Sequence, residues 1–168
     1  MTPDDLVLTP VGLRFQCKTY PCTIGRSGVS KRKCEGDGAT PHGIHRIVGM
    51  LYRPDRMARP APWALPIGPR DLWSDDPSAP DYNMMVRSPY AYSHEKLRRA
   101  DPLYDLVILT DWNWPYAVKG RGSAIFIHQF RRGGFPTEGC IAVSRRNLAS
   151  IARRIKYRTR LVVPALPA

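Results

Sequence analysis

His128 and Cys140 stand at the two ends of the segment "HQFRRGGFPTEGC", and they are the residues best suited to chemistry. A thiol attacks a carbonyl carbon well only as thiolate, and its ordinary pKa of about 8.5 leaves few thiolates at neutral pH. A nearby imidazole can take that proton as general base and return it as general acid. His128 closes the apolar run "GSAIFIH" and Cys140 follows twelve residues later, across a loop of Arg, Gly and Pro. A hairpin over this segment would return the chain beside the histidine and form a thiolate–imidazolium pair. Gly139 precedes the thiol and lets a substrate carbonyl approach the backbone closely. The amides of Gly139 and Cys140 would then point at a developing oxyanion. Alone, a cysteine is usually core filler and a strand-end histidine a satisfied structural group. In this order they form a candidate catalytic pair.

The elements that must hold this pair are mostly strands. "YDLVILTDWN" (104–113) is the strongest, a run of β-branched residues and Leu closed by Asp and Asn. With "GSAIFIH" (122–128) it reads as buried on two faces and central. "DLVLTPVGLRFQCKTYPCTIG" (5–25) has the alternation of a strand meander, "IHRIVGMLYR" (44–53) is strand-like, and "TRLVVPAL" (159–166) closes the chain as a strand. After the cysteine comes a helix: Ser144 caps it, and Leu148, Ile151, Ala152 and Ile155 recur at i, i+3, i+4 and i+7. Arg145, Arg146, Arg153 and Arg154 form its solvated face. "SHEKLRRA" (93–100), with another Ser cap, predicts a second, short helix. Residues 26–43 are loop-like, and the proline-rich stretch 54–81 predicts a long surface excursion. The expectation is one mainly β domain over residues 1–168, with one helix after the cysteine and one or two short ones.

Hydrophobic residues at 43% and charged residues at 24% match ordinary globular composition. Gly 13 and Pro 17 favour short strands and turns over long helices. No apolar run approaches the roughly 20 residues of a membrane span, and the acidic start "MTPDDLVLTPVGLRF" shows no secretory h-region. The net charge of +12 attracts polyanions such as nucleic acid, anionic lipid or a carboxylate-rich polymer. It is spread along the chain without a nucleic-acid-binding motif, so nucleic acid is not the expected partner. Cys17, Cys22, Cys34 and Cys140 include no C-x-x-C pair. One disulfide among the first three stays open beside three ordinary thiols. His42, His45 and His94 read as structural. No carboxylate sits at ligand spacing beside them, so no metal and no cofactor is expected. Trp63, Trp73, Trp112 and Trp114 read as core or rim packing.

The segment from His128 to Ile141 resembles the signature of the L,D-transpeptidase catalytic domain, the YkuD-like family. That signature is a strand-end His, a loop, Ser/Thr-His-Gly-Cys, an apolar residue, then Arg or Asn. "EGDGATPHGIHRIVG" (35–49) resembles the family's second conserved segment, and "YNMMVRSPYAYSHEKLRRADPLYDLVILTDWN" a proteobacterial branch. The resemblance covers about residues 20–163. It implies a β-sandwich or barrel, and a peptidoglycan cross-linking enzyme that carbapenems acylate, with a role in the cell wall and cell shape. In that reading Cys140 is the nucleophile and His128 the general base and acid. The amides of Gly139, Cys140 and Glu138 hold the oxyanion, and the Gln129 carbonyl orients the imidazole. Thr137, Glu138, Arg131 and Arg87 are candidate substrate contacts. Donor and acceptor stem peptides are the implied partners, joined 3–3 or 1–3. Three departures stand out: Glu138 replaces the usual second histidine, Ala142 the usual Arg or Asn, and the loop is short. Arg131, Arg132 or Arg87 are candidate replacements for the missing arginine. The alternatives are an L,D-carboxypeptidase or cross-link hydrolase on the same scaffold, and a non-catalytic basic binding protein. The function implies the periplasm or cell envelope; the lack of a visible export signal keeps the cytoplasm as the alternative.

Overall fold

Short β-branched and aromatic runs broken by Gly, Pro and Asn give strands too brief to need more than turns between them. The computed structural model describes residues 2–165. The N-terminal meander is Leu6–Thr9 (β1), Gly12–Phe15 (β2), Lys18–Tyr20 (β3) and Cys22–Thr23 (β4). Val29–Ser30 (β5) pairs in parallel with Thr40–Pro41 (β6), and Gly43–Tyr52 (β7) follows as the longest strand. Next come Leu65–Pro66 (β8), Asp71–Ser74 (β9), Met85–Arg87 (β10) and His94–Lys96 (β11). Leu106–Thr110 (β12), Phe126–Gln129 (β13), Ile141–Val143 (β14), the helix Arg145–Ala152 (α1) and Arg160–Val163 (β15) complete the order.

The main sheet runs β3-β2-β1-β15-β7-β12-β13-β14-β4, with β8 added on β7. Its two outermost strands, β3 and β4, are joined in the chain by Pro21 alone. The sheet must therefore curl until it nearly closes on itself, which leaves little open edge. The strands expected at 5–25, 44–53, 104–113 and 122–128 are all present. β12 lies between β7 and β13, and β13 between β12 and β14, the central places their continuous apolar runs require. Of the strand expected at 159–166, Arg160–Val163 is observed and residue 166 lies outside the described residues.

Alternation along β12 and β13 splits the interior into two cores. Leu106, Ile108 and Ile127, with Ile141 and Val143 of β14, meet Leu148, Ile151 and Ala152 of α1. Ser144 Oγ caps α1 by accepting from the Asn147 amide at 3.2 Å. Ile155 is buried just past the helix end. Arg154 departs from the solvated face and turns back over the rings of Phe15 and Tyr20. On the opposite side of the sheet, Val107 and Phe126 meet Ile67, Trp73, Leu97 and Tyr104.

This second core overturns two expectations. The stretch 54–81 is not a surface excursion: Ala64, Ile67, Leu72 and Trp73 are buried, and β9 is the centre strand of a three-stranded layer, β10-β9-β11. Its prolines punctuate segments of a few residues, each burying one or two side chains, so no period is long enough to show. Residues 93–100 are not a helix either. β11 pairs with β9, with Glu95 opposite Trp73 and Lys96 opposite Leu72. Leu97 is its one apolar anchor, and period-two alternation carries it inward where a helix would have no apolar face. Among the described residues α1 is the only α-helix. All four cysteines are free thiols.

Candidate active site

β13 and β14 run parallel, with His128 opposite Ala142 and Ile127 opposite Ile141. The expected hairpin is thus replaced by a crossover, because parallel neighbours cannot be joined by a tight turn. Residues 130–140 reach across to the N-terminal segment before entering β14. Thr137 donates its amide to Ile24 O and accepts from the Arg26 amide, both at 2.8 Å. Thr40, within "TPHG", donates its hydroxyl to Gly139 O at 2.8 Å while accepting from the Gly25 amide at 3.0 Å. The two sequence segments singled out for their family likeness therefore meet at the loop behind the thiol.

Phe126 and His128 share the face turned away from α1, and the parallel register places Ala142 and, by parity, Cys140 on that same face. His128 and Cys140 line one cleft of about 980 Å³, walled also by Glu95, Arg99, Tyr104 and Arg131. Cys140 Sγ accepts from the Phe126 amide at 3.3 Å and donates to Ala124 O at 3.0 Å. His128 Nδ1 lies 2.8 Å from Gln129 O. A carbonyl only accepts, so Nδ1 carries the proton and Nε2 keeps its lone pair. The edge of Tyr104 meets the imidazole at 5.6 Å between centroids.

Burial governs the charge state of the pair. It pushes the Cys140 thiol up to about 12, against the Phe126 N–H bond, which favours thiolate. It also lowers His128 below the usual imidazole value, while the Gln129 carbonyl opposes it and the Arg99 charge adds to it. Both shifts favour the neutral thiol and the neutral imidazole over the thiolate–imidazolium pair expected from the sequence.

Gly139 holds a φ of +139°, and a Cβ there would stand 2.8 Å from Ala39 O, so this position demands glycine. Its amide donates to Thr137 Oγ1 at 3.1 Å, and that hydroxyl donates to Cys140 O at 2.6 Å. Thr137 is thereby a brace for the turn, and the Gly139 amide is already occupied. Among the described residues no acceptor takes the amides of Glu138 and Cys140. The Glu138 carboxylate faces solvent and pairs with Arg26. Arg131 and Arg132 line the cleft. Arg87 does not: it lies on β10, 3.6 Å from Asp71, in a separate depression with Arg70 and Arg98. The separation follows from β9 and β10 forming a layer of their own. His45 Nε2 and His94 Nδ1 meet backbone carbonyls, at 3.1 Å from Pro41 O and 2.7 Å from Tyr92 O. Asp75, Glu95, Arg99 and Tyr104 enter the cleft without any sequence signal, because they arrive through the pairing of the second layer.

The family model of the L,D-transpeptidase catalytic domain (YkuD) matches residues 15–163. The chain belongs to that family and is a peptidoglycan-modifying enzyme. A comparison with curated proteins gives no match. No helix among the described residues is long and apolar enough to cross a membrane.

Proposed function

We propose that this protein is a cysteine acyltransferase of the cell envelope that cross-links peptidoglycan stem peptides. One observation carries the reading: His128 and Cys140 occupy the same face of a parallel strand pair and open into one cleft. Sγ turns from Ala124 O toward the carbonyl of an L-centred donor residue, of the diaminopimelate type. Because the thiol rests protonated, its proton passes to His128 Nε2 as the C–S bond forms, not beforehand. The Gln129 carbonyl stabilises the imidazolium through Nδ1. The amides of Cys140 and Glu138 receive the oxyanion, held in place by the Thr137 brace. Collapse expels the D-amino acid, which takes the proton from His128 and leaves a thioester on Cys140. An acceptor amine then forms the cross-link. Arg131 is positioned to pair with a substrate carboxylate.

The test is product analysis on purified disaccharide-tetrapeptide. Dimers are expected from the wild type and none from Cys140→Ala, with the melting temperature retained in the variant. Intact mass should show one carbapenem adduct on the wild type alone. Tripeptide without dimer would make water the acceptor and the enzyme an L,D-carboxypeptidase. A wild type with neither adduct nor product would refute the assignment.

A further inference from the structure

We propose that Tyr104 is a specificity-determining residue of the cleft: its hydroxyl, with Arg131, binds the carboxylate on the residue that leaves as Cys140 is acylated. This role rests on the acyltransferase reading, which leaves open what recognises the end of the donor stem. Tyr104 is only 5% exposed, yet it lines the cleft with Cys140 and His128. Its ring meets the imidazole of His128 edge-on at 5.6 Å and Phe126 at 6.3 Å, and the Arg99 guanidinium covers it at 5.5 Å. The turn that carries it is strapped down. Arg53 donates to Arg99 O at 2.7 Å, and Arg56 donates to Ala100 O at 2.9 Å and to Asp101 O at 3.1 Å. The Gln129 side chain donates to Pro102 O. Packing thus fixes the phenol without using its polar end. Among the described residues the hydroxyl has no hydrogen-bond partner, and it is not among the atoms closed off from solvent, so it opens into the cleft. A rigid, nearly buried hydroxyl of this kind calls for a partner on the ligand.

Sheet order and register indicate which part of the ligand that is. β13 lies between β12 and β14, so Tyr104, just before β12, approaches His128 from the side opposite β14. Val107 pairs with His128 in antiparallel register, which, continued, sets Tyr104 level with Arg131. When Sγ attacks, the carbonyl oxygen turns to the amides of Glu138 and Cys140 on the β14 side. The leaving nitrogen turns to His128 for its proton, and what it carries extends toward Tyr104. In a tetrapeptide donor this is the terminal D-residue, whose free carboxylate is one carbon away from the nitrogen. Arg131 lines the same cleft, and its charge is felt at Asp101, in the turn of Tyr104. Arg99 is committed to Asp101 by bonds of 2.8 and 2.7 Å, and Arg132 lies over the Phe135 ring. Arg131 is left as the cation for the ligand.

The hydroxyl suits this role. Burial, and after it the Cys140 charge, hold the phenol well above its usual range, so it stays protonated and donates at neutral pH. No proton moves at Tyr104: the thiol proton still travels through His128 to the leaving nitrogen, and the hydroxyl only holds the carboxylate beside it. Asp75 and Glu95 line the same cleft and oppose a bare anion, so a directed bond from a neutral donor adds selection that net charge does not. A carbapenem presents the same group, since its carboxylate sits on the carbon attached to the ring nitrogen that leaves the carbonyl.

The experiment compares wild type, Tyr104→Phe and Arg131→Gln on two donors: disaccharide-tetrapeptide, and the same molecule with its last residue replaced by ethylamine, which lacks the carboxylate. Both lead to the same thioester. The wild type should favour the carboxylate donor in kcat/KM by about tenfold or more, the scale of a hydrogen bond to a charged group. Each variant should lose most of that on the tetrapeptide and stay within about twofold of wild type on the ethylamide. Carbapenem acylation should slow about tenfold in Tyr104→Phe, while acylation by the carbapenem methyl ester should not change; this pair decides if the ethylamide is too slow to read. The melting temperature and the iodoacetamide rate of Cys140 should not move in Tyr104→Phe, since the hydroxyl has no partner in the fold and alkylation uses no carboxylate. Equal slowing on both donors, or a wild type indifferent to the carboxylate, overturns the subsite and leaves the acyltransferase reading standing. A wild type with neither product nor carbapenem adduct overturns both.

Discussion

Alkylation of Cys140 by iodoacetamide should rise tenfold per pH unit from pH 7 to 10, with no plateau. Burial pushes this thiol up to about 12. At pH 7 its thiolate fraction is then about 10⁻⁵, against roughly 3% for a free cysteine of pKa about 8.5. That ratio of about 3,000 is partly offset, because a more basic thiolate is more nucleophilic. With a Brønsted slope of about 0.45 the gain is about 40-fold. Cys140 should thus react about 100-fold more slowly than an exposed peptide thiol of pKa about 8.5 at pH 7, as read by peptide mapping. Acylation by a carbapenem should behave differently, because there His128 removes the proton during attack. Its imidazole pKa is lowered by burial, so the neutral base persists below the usual value of about 6.5. Acylation should stay level as pH falls through 6.5 and decline only at lower pH. His128→Ala should cut acylation by about 10²–10⁴ while leaving the alkylation slope intact. An alkylation plateau between pH 6 and 8 would refute the argument, since it would mean that a thiolate–imidazolium pair already exists at rest.

Gly139→Ala places a methyl 2.8 Å from Ala39 O and 3.1 Å from Ile125 Cδ1 at a φ of +139°. Strain and overpacking together should cost about 2–5 kcal/mol, a fall in Tm of about 5–15 °C at this chain length; an unchanged melt would contradict the turn geometry. Trp73→Ala removes the ring that joins β9 to Phe126 and should cost about 3–5 kcal/mol by urea unfolding. A loss below about 0.5 kcal/mol would mean that the second layer is not packed on the sheet.

The strands around the site were legible because β12 and β13 lie in the unbroken apolar runs "LVIL" and "AIFI", the trace of strands buried on both faces. The helix was legible because its cap and its four apolar positions are local. The layer β10-β9-β11 was not. Its strands are three or four residues long, shorter than any window in which a period shows. What makes "DLWS" a strand is the company of "HEK" about twenty residues later, a pairing that composition does not encode. "SHEKLRRA" shows the conflict most clearly. Locally it offers a Ser cap and good helix formers, but a helix there would leave Leu97 as a lone apolar residue. The strand buries it completely and tertiary packing wins.

The candidate pair was legible as residue types, since a thiol, an imidazole and a glycine beside the thiol are what acyl transfer would need. Their route together was not. A hairpin and a parallel crossover would both set residue 140 near residue 128, but they differ in what holds the loop. A hairpin would brace it against its own strand; here the bracing comes from Ile24, Arg26 and Thr40, far away in the chain. The "TPHG" segment acquires its meaning from this. Thr40 clamps Gly139 O while Thr137 clamps the Gly139 amide, so the residue before the thiol is gripped from both ends. With both of its polar groups committed, Gly139 is a fixed corner whose amide already has an acceptor. The two neighbouring amides, those of Glu138 and Cys140, are the ones left free to receive charge. Thr137 thus occupies the Gly139 amide while Thr40, about a hundred residues upstream, fixes its carbonyl, and the amides of Glu138 and Cys140 are left without an acceptor.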